Sequence, residues 1–344
     1  MTAANTQPAP RIERPLQLNF KGDWGFANLH RICGWISDFV VNHAGPHTRI
    51  AIWNGHGGRD NVVAVGRGEV DLALATPAEF VRAALHGGYP FTDAPYPNLR
   101  ALAVIPQNDA MLFAVVPMLG VRSVEELHAL RPPLVIAAPP DDGDTYMGIG
   151  AHRHLEALGL DRATVASWGG RFLDIEHPEP CLAAVLDGRA QAVMHEAIMA
   201  PWWRRTVEAT GLTPLSSPES ALTSLQQRFG WGRRILPAGY FQGQEQDVTT
   251  LDFSDFLVFV SDSMPDDVAH LITWCLVETR GRIEQQYRHI KPEWSPISYP
   301  LQPRKMMNTP IPLHPGARAY YEEVGLFTAA PAPPAPAAGS ASAS

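Results

Sequence analysis

The chain has 344 residues, of which 45% are hydrophobic and 18% charged, the composition of a globular protein with a hydrophobic core of its own. Its formal net charge is −8 and it contains no basic run, which excludes nucleic acid as an expected partner. No stretch reaches the roughly 20 apolar residues that span a bilayer, and the isolated Cys33, Cys181 and Cys275 offer neither a disulfide framework nor a metal cluster.

Short apolar strands alternate with amphipathic helices in the first part of the chain. The predicted strands are residues 16–20, 49–53 and 71–75, and the predicted helices are residues 27–41, 60–67 and 78–85. Alternation of this kind, with short glycine-rich joints, indicates a parallel, doubly wound α/β sheet.

Two apolar runs, residues 99–105 and 111–116, are suited to carry the chain out of this first lobe. A second alternation follows, with predicted strands at 134–138 and 190–194 and helices at 146–158, 180–186 and 201–209. Strand 256–260 and helix 265–282 then return to the first lobe. The sequence therefore predicts an α/β protein of two lobes joined by hinge strands, with residues 16–105 plus 250–327 in lobe 1 and residues 106–249 in lobe 2.

Both ends of the chain read as disordered. Residues 1–15 are polar and contain proline, and residues 328–344 are dominated by alanine, proline and serine, so neither segment can bury enough apolar area to offset the cost of ordering. The beginning of the sequence also lacks a basic region followed by an apolar one, so it does not resemble a secretory signal.

Two loops that follow strands and precede helices are candidate ligand contacts. Residues 54–58 form a glycine turn that suits either a tight turn or an anion site at a helix N-terminus, but Asp60 stands where a dinucleotide fingerprint needs its third glycine. Asp144 and Thr145 occupy the same position in the second lobe, where either can cap the next helix. The neighbouring acidic run lacks the remaining calcium ligands.

His195 and Glu196 end a predicted strand. Met199 occupies the place where a zinc-protease motif needs its second histidine, so we expect no metal here. The pair either faces a cleft and touches ligand, or His195 is a structural histidine.

Several stretches of the sequence resemble the TAXI family of solute receptors for TRAP transporters. The most specific is the C-terminal segment of residues 311–325, IPLHPGARAYYEEVG, and the others are residues 66–73, 98–103, 188–192 and 236–244. The resemblance implies a type II periplasmic-binding-protein fold that closes on a small, often carboxylate-bearing solute, with no cofactor and with TRAP membrane subunits as partners. It also implies that residues 311–325 are structural.

Carried over by position, the family's ligand contacts fall on strand-end loops. They are Lys21, Trp24, Gly25, Asn54, His56, Gly57, Gly58, Thr76, Asp144, Thr145, His195, Glu196 and Tyr240. Lys21 or Arg59 would add positive charge for a carboxylate. The loops depart from the family pattern, because Trp, Asp and His stand where small hydroxyl residues are usual. An aromatic solute that stacks on Trp24 or Trp53 is therefore expected.

Two hypotheses of function follow. The first is a receptor, periplasmic by resemblance, although a chain without a leader would stay in the cytoplasm. The second is a cytoplasmic enzyme on the same scaffold, such as a decarboxylase acting on an aromatic acid, with His56, His195 and Glu196 as its proton-transferring groups.

Overall fold

A computed structural model describes residues 8–327 of the chain. Within this range the backbone forms two β-sheets. The strands are β1 (Gln17–Lys21), β2 (Arg49–Trp53), β3 (Leu72–Ala75), β4 (Leu99–Ile105), β5 (Ala110–Val115), β6 (Val135–Ala138), β7 (Arg171–Asp174), β8 (Ala192–His195), β9 (Thr213–Pro214), β10 (Arg233–Leu236), β11 (Val248–Asp252) and β12 (Phe256–Ser261).

Helices cover the faces of the sheets. They are α1 (Asn28–His43), α2 (Arg59–Gly66), α3 (Val124–Leu130), α4 (Tyr146–Ala157), α5 (Arg162–Ser167), α6 (Pro178–Leu186), α7 (Pro201–Thr210), α8 (Glu219–Phe229), α9 (Asp266–Glu278), α10 (Arg280–Gln285), α11 (Pro303–Met306) and α12 (Pro315–Glu323). Three segments are 3-10 helices: Ala78–His86, Pro117–Leu119 and Pro292–Trp294. Helix α1 shows why such segments fold here, because its buried residues recur at helical spacing and form one apolar face toward the sheet.

The first sheet has the strand order β2-β1-β3-β12-β4 and the second β10-β11-β5-β8-β6-β7, with β9 beside β5. Strands β3, β4, β5 and β12 are almost entirely buried, as expected of strands covered on both faces. The expectation of purely parallel sheets is wrong. Strand β12 runs antiparallel to β3 and β4, and β5 runs antiparallel to β8 and β11, because the strands next to the two crossings enter their sheets in the opposite sense.

The chain passes between the sheets twice within the described residues. It leaves the first sheet after β4 and returns to it at β12, and the two crossing segments bond to each other: the backbone N–H of Gln107 donates to Asp255 over 3.0 Å. The predicted return at residue 250 falls inside β11, which belongs to the second sheet. The second crossing therefore comes after Asp252, because the β10-β11 hairpin completes the second lobe first.

An aromatic cluster joins the two lobes. The ring of Phe80, in the first lobe, stacks on Trp231 of the second with centroids 3.9 Å apart, and it meets Tyr146 and Phe253 edge-on. These side chains are buried within one continuous hydrophobic core. The lobes are thus packed together beside the crossings and not merely tethered.

The N-terminal segment is more ordered than its composition predicts. Ile12 is buried, its N–H donates to the carbonyl of His43, and Arg14 pairs with Asp267 at the start of α9. Disorder is therefore the wrong prediction for residues 12–14, because one apolar side chain and one ion pair hold them on the first lobe. Residues 1–7 and the predicted disordered tail, residues 328–344, lie outside the described residues.

The C-terminal segment that carries the family resemblance packs onto the first lobe. Helix α12 lies against α9, and Gly316 approaches the backbone of Asp266 so closely that an added Cβ would stand 2.1 Å from its carbonyl oxygen. His314 caps the helix by accepting a bond from the N–H of Gly316. These contacts agree with the structural role expected of residues 311–325.

Candidate ligand-binding site

A cavity of about 320 Å³ lies between the two lobes. The first lobe and the crossings line it with Asp23, Trp24, Phe26, Ala27, Asn28, Leu29, His56, Thr76, Gln107, Asp109 and Phe256, and the second lobe with Tyr146, Met147, His177, Pro178, Glu179, Pro180, Glu196, Ala197, Met199 and Trp202. The lining is mostly apolar, with aromatic rings from both sides. This composition is typical of small-molecule sites.

The loop after β1 supplies the cavity wall from the first lobe. Asp23 is buried and accepts hydrogen bonds from the N–H groups of Leu29 and His30 at 2.8 and 3.3 Å, so it holds the start of α1. Burial raises the pKa of Asp23, and these backbone bonds partly oppose the rise. The neighbouring Trp24 thus projects from a loop that is fixed to a helix.

Trp24 reaches across the cleft to the second lobe. Its indole Nε1 donates to the Glu176 carboxylate over 2.9 Å, and its ring meets His177 edge-on with centroids 4.7 Å apart. His56 lies beside the same contact, with Nε2 3.9 Å from the carboxylate of Glu176. Trp24 therefore lines the cavity and also links the lobes.

The crossing segments close one side of the cavity. The Gln107 side chain donates to the hydroxyl of Thr76 over 3.0 Å, which joins the loop after β3 to the hinge. Asp109 follows two residues later and lines the cavity together with Glu196, from the end of β8. A carboxyl group from the crossing segment and one from the end of β8 thus meet beside the hinge.

His195 and Glu196 are adjacent in sequence but have different surroundings. Glu196 lines the cavity, whereas the His195 ring is fully buried, accepts from the N–H of Glu196 at Nδ1 and lies 3.1 Å from the carbonyl of Glu176 at Nε2. Burial lowers the pKa of His195 to about 4. Of the two interpretations of His195, the structure favours the structural histidine over a ligand contact or catalytic group, because both ring nitrogens are already used to fix the turn.

A second set of contacts between the lobes lies beside the cavity. The N–H of Arg59 donates to the carbonyl of Asp144 over 2.9 Å, and its guanidinium pairs with the carboxylates of Asp93 and Asp144. Gly58 lies so close to this strand-end loop that an added Cβ would stand 2.6 Å from the Asp144 carbonyl. Thr145 is buried and caps α4 through the N–H of Gly148. These residues hold the lobes together.

The structure brings some of the sequence-predicted site residues together. Trp24, His56, Thr76 and Glu196 line the cavity. The predicted residues outside the lining are Lys21, Gly25, Asn54, Gly57, Gly58, Asp144, Thr145, His195 and Tyr240. All of the latter except Tyr240, whose ring packs against Phe241 and Trp294, support or border the loops that carry the first group.

The two basic residues expected to bind a carboxylate are occupied elsewhere. Lys21 pairs with Asp60 over 2.9 Å, and Arg59 makes the contacts described above, because each lies beside an acidic residue of a neighbouring element. Trp53 is 57% exposed and bonds to Asn19, so the expected stacking position belongs to Trp24 alone.

The electrostatics of the lining are acidic. Across residues 8–327, no lysine or arginine lines the cavity, whereas Asp23, Asp109, Glu179 and Glu196 do. The N-termini of α1, α4, α6 and α7 also reach it, and each contributes roughly 0.3–1 kcal/mol toward an anion. Two of these N-termini already have a carboxylate, since Asp23 accepts from N–H groups in the first turn of α1 and Glu179 lies in the first turn of α6.

Several residues that line the cavity, and Glu176 which bonds to the lining residue Trp24, were missed in the sequence. Asp109 lies in the segment predicted only to connect the lobes, and Trp202 lies at the start of the helix predicted at residues 201–209, without being singled out as a site residue. Glu176 and His177 follow β7, a strand that the sequence pattern did not predict. The one available signal was Pro178, since a proline at the first helical position marks the preceding residues as a strand-to-helix loop.

A family model connects this architecture to known proteins: the model of the NMT1-like family matches residues 32–325. The chain belongs to the NMT1-like family. Among curated proteins, none matches it in sequence.

The chain is also similar to several solved periplasmic solute-binding proteins. The periplasmic binding protein BugD is 11% identical, with a TM-score of 0.46, over 91% of this chain and 98% of that one. The TctC solute binding protein from Polaromonas is 12% identical, with a TM-score of 0.44, over 79% and 88%. The periplasmic aliphatic sulphonate binding protein SsuA from Escherichia coli is 14% identical, with a TM-score of 0.40, over 79% and 76%.

The described residues give two further findings that bear on function. No helix within residues 8–327 is long and apolar enough to cross a membrane. In the same range, no group of three or more His, Cys, Asp or Glu side chains is arranged to hold a metal ion.

Proposed function

We propose that this member of the NMT1-like family is a solute-binding receptor whose lobes close on a small aromatic solute. The observation that carries the proposal is a cavity lined by both lobes, with Trp24, Phe26 and Phe256 on one side and Tyr146, His177 and Trp202 on the other. A flat ring that enters such a cleft contacts both sides at once, so its binding energy favours the closed arrangement.

The acidic lining supports an uncharged or cationic solute over the carboxylate that the family resemblance implies. At an effective dielectric constant of about 20, a solute carboxylate about 6 Å from one ionised side chain is repelled by about 3 kcal/mol. A helix N-terminus stabilises the same carboxylate by only roughly 0.3–1 kcal/mol. The described lining contains no arginine or lysine that would offset the remaining repulsion.

Delivery to a TRAP-type membrane transporter, as in the TAXI family, belongs to the same proposal. Its support is the similarity of residues 311–325 and of the four shorter stretches to that family. It predicts that the solute is released unchanged, since a transport receptor makes no product.

Calorimetry with 2-phenylethanol, benzamide and indole tests the ring requirement, with 2-cyclohexylethanol as the saturated counterpart of the first probe. We expect saturable one-site binding of an aromatic probe, weaker binding of the saturated one, and a decrease in the radius of gyration by small-angle scattering. Trp202→Ala should weaken binding, whereas Trp53→Ala, which removes an exposed ring outside the lining, should not.

The proposal fails if none of the aromatic probes binds. Appearance of a product on incubation with aromatic acids would instead favour the enzyme hypothesis. His56 and Glu196 are the groups of that hypothesis that line the cavity.

A further inference from the structure

Asp109 is held as a hydrogen-bond acceptor at the hinge side of the cavity. It is 2% exposed. Its Oδ1 accepts from the N–H groups of Ala110 and Ile198 at 2.7 and 3.1 Å, and its Oδ2 accepts from the N–H of Ala197 at 3.1 Å. Three backbone donors favour the ionised carboxylate.

Glu196, the second carboxyl group of the pair with Asp109, is also held in position by hydrogen bonds of its backbone. Its N–H donates to His195, its carbonyl accepts from the indole of Trp203 over 2.8 Å, and its side chain is only 14% exposed. The next residue, Ala197, has a positive φ of 59°, a backbone state that non-glycine residues rarely adopt and that often marks functional turns. The turn therefore aims the Glu196 carboxyl at Asp109.

Among residues 8–327, neither carboxyl group of this pair meets an arginine or a lysine. The N–H groups of Ala197 and Ile198, the two residues after Glu196, both donate to Asp109, which places the two carboxyl groups side by side at the cavity. Burial, together with repulsion by Asp109, raises the pKa of Glu196 well above its ordinary value. Two buried carboxyl groups side by side hold one proton between them, and Glu196 holds it because Asp109 has the backbone donors. The neighbouring His195 is neutral, so it offers no positive charge.

We infer that Asp109 and Glu196 receive a protonated amine of the solute, so that the ligand is an aromatic amine whose ring lies between the tryptophans of the two lobes. This inference rests on the proposed function and names the class of its solute. An ammonium group supplies the charge and the donors that the pair lacks, and Trp24 and Trp202 also line the cavity to meet its positive charge with their ring faces.

Binding of an ammonium group displaces the shared proton. The N–H of the ammonium donates to the Glu196 carboxylate in its place, and the proton leaves to solvent, so affinity rises with pH while the amine stays protonated. The other titratable groups near the pair are His195 and Tyr240. The Nδ1 atom of His195 lies 3.7 Å from the Glu196 carboxylate. Burial raises the pKa of the Tyr240 hydroxyl, and the charges of Asp109, Arg204, Arg234 and Glu293 have smaller effects on it.

Phenethylamine, 2-phenylethanol and 3-phenylpropanoate test the inference, because they share a ring and a short chain but differ in charge. Calorimetry on the full chain should show phenethylamine binding about tenfold more tightly than 2-phenylethanol, with 3-phenylpropanoate weakest. Repeating the titration in buffers of different ionisation enthalpy should show about one proton released per amine bound.

Glu196→Gln provides the matched variant. Its amide can still donate to Asp109, so the turn is kept while the proton exchange is lost. We expect the tenfold preference for phenethylamine over 2-phenylethanol and the proton release to disappear in this variant. Glu69→Gln, at an exposed carboxylate far from the lining, should leave the preference intact.

The outcomes separate the two proposals. If none of the three probes binds, the proposed function falls and the inference falls with it. If 2-phenylethanol binds and phenethylamine binds no more tightly, or if the preference survives in Glu196→Gln, only the inference is overturned. Even if the variant fails to fold, the preference of the wild-type chain for phenethylamine over 2-phenylethanol and its proton release still test the inference.

Discussion

Truncating Phe80 to alanine should destabilise the protein by about 3–5 kcal/mol. The side chain is 2% exposed, stacks on Trp231 with an interplanar angle of 7°, and meets Tyr146 and Phe253 at centroid distances of 5.4 and 5.6 Å. The cost is near the upper end of the usual range for core truncations, because rigid rings surround the site and cannot collapse into the space left behind.

Urea unfolding monitored by tryptophan emission and by circular dichroism measures this loss. Trp231 reports directly on the cluster, so its emission should shift at lower urea in Phe80→Ala than in the parent chain. Because the cluster joins the two lobes, we also expect the single transition to broaden or split as the lobes unfold separately.

Phe26→Ala is the matched control, since it removes the same ring from a position that is 66% exposed. We expect a change within about 0.5 kcal/mol, and Phe80→Leu should fall between the two alanine variants. A loss of less than about 1 kcal/mol in Phe80→Ala would refute the view that this cluster holds the lobes together.

Three shorter predictions concern the cleft and the core. Trp24→Phe keeps a ring but loses the bond to Glu176, so calorimetry should show 2-phenylethanol binding about fivefold more weakly; unchanged affinity would contradict a contact that bridges the lobes. Burial lowers the pKa of His154 to about 3. Below about pH 6.5 this histidine is therefore protonated in the unfolded chain but stays neutral in the folded chain. His154→Gln should therefore reduce the loss of stability on acidification by about 1.4 kcal/mol per pH unit, and an unchanged slope would count against this. Gly58→Ala places a Cβ 2.6 Å from the facing backbone of the second lobe, whereas Gly34→Ala meets nothing within 4 Å; only the former should increase the radius of gyration in solution.

Most of the regular structure was predictable because it depends on local periodicity. Strands β2, β4 and β12 and helices α1, α4 and α7 lie within a few residues of their predicted bounds. The weak elements were missed: β7, β9, β10 and β11 are short, lie at sheet edges or beside them, and carry few buried apolar residues to mark them.

The candidate site was predictable only in outline. Strand-end loops were expected to wall a cleft, and Trp24, His56, Thr76 and Glu196 do line the cavity. Which side chain of a loop faces the cleft depends on the neighbours that fix the turn. For this reason the sequence pattern could not separate His195, which is buried beneath the turn, from Glu196, which lines the cavity.

The sequence by itself determined the α/β class, the two-lobed order of elements and the position of the loops. The spacing of apolar residues and the glycines and prolines that end helices and strands act on the backbone within a few residues. Only the tertiary structure decided the charge of the cavity. Lys21 and Arg59 are neutralised by carboxylates of neighbouring elements, while Asp109 meets Glu196 across 87 positions of sequence and neither meets an arginine or a lysine of residues 8–327. Pairing between charges depends on distances in space, and no local pattern encodes those distances.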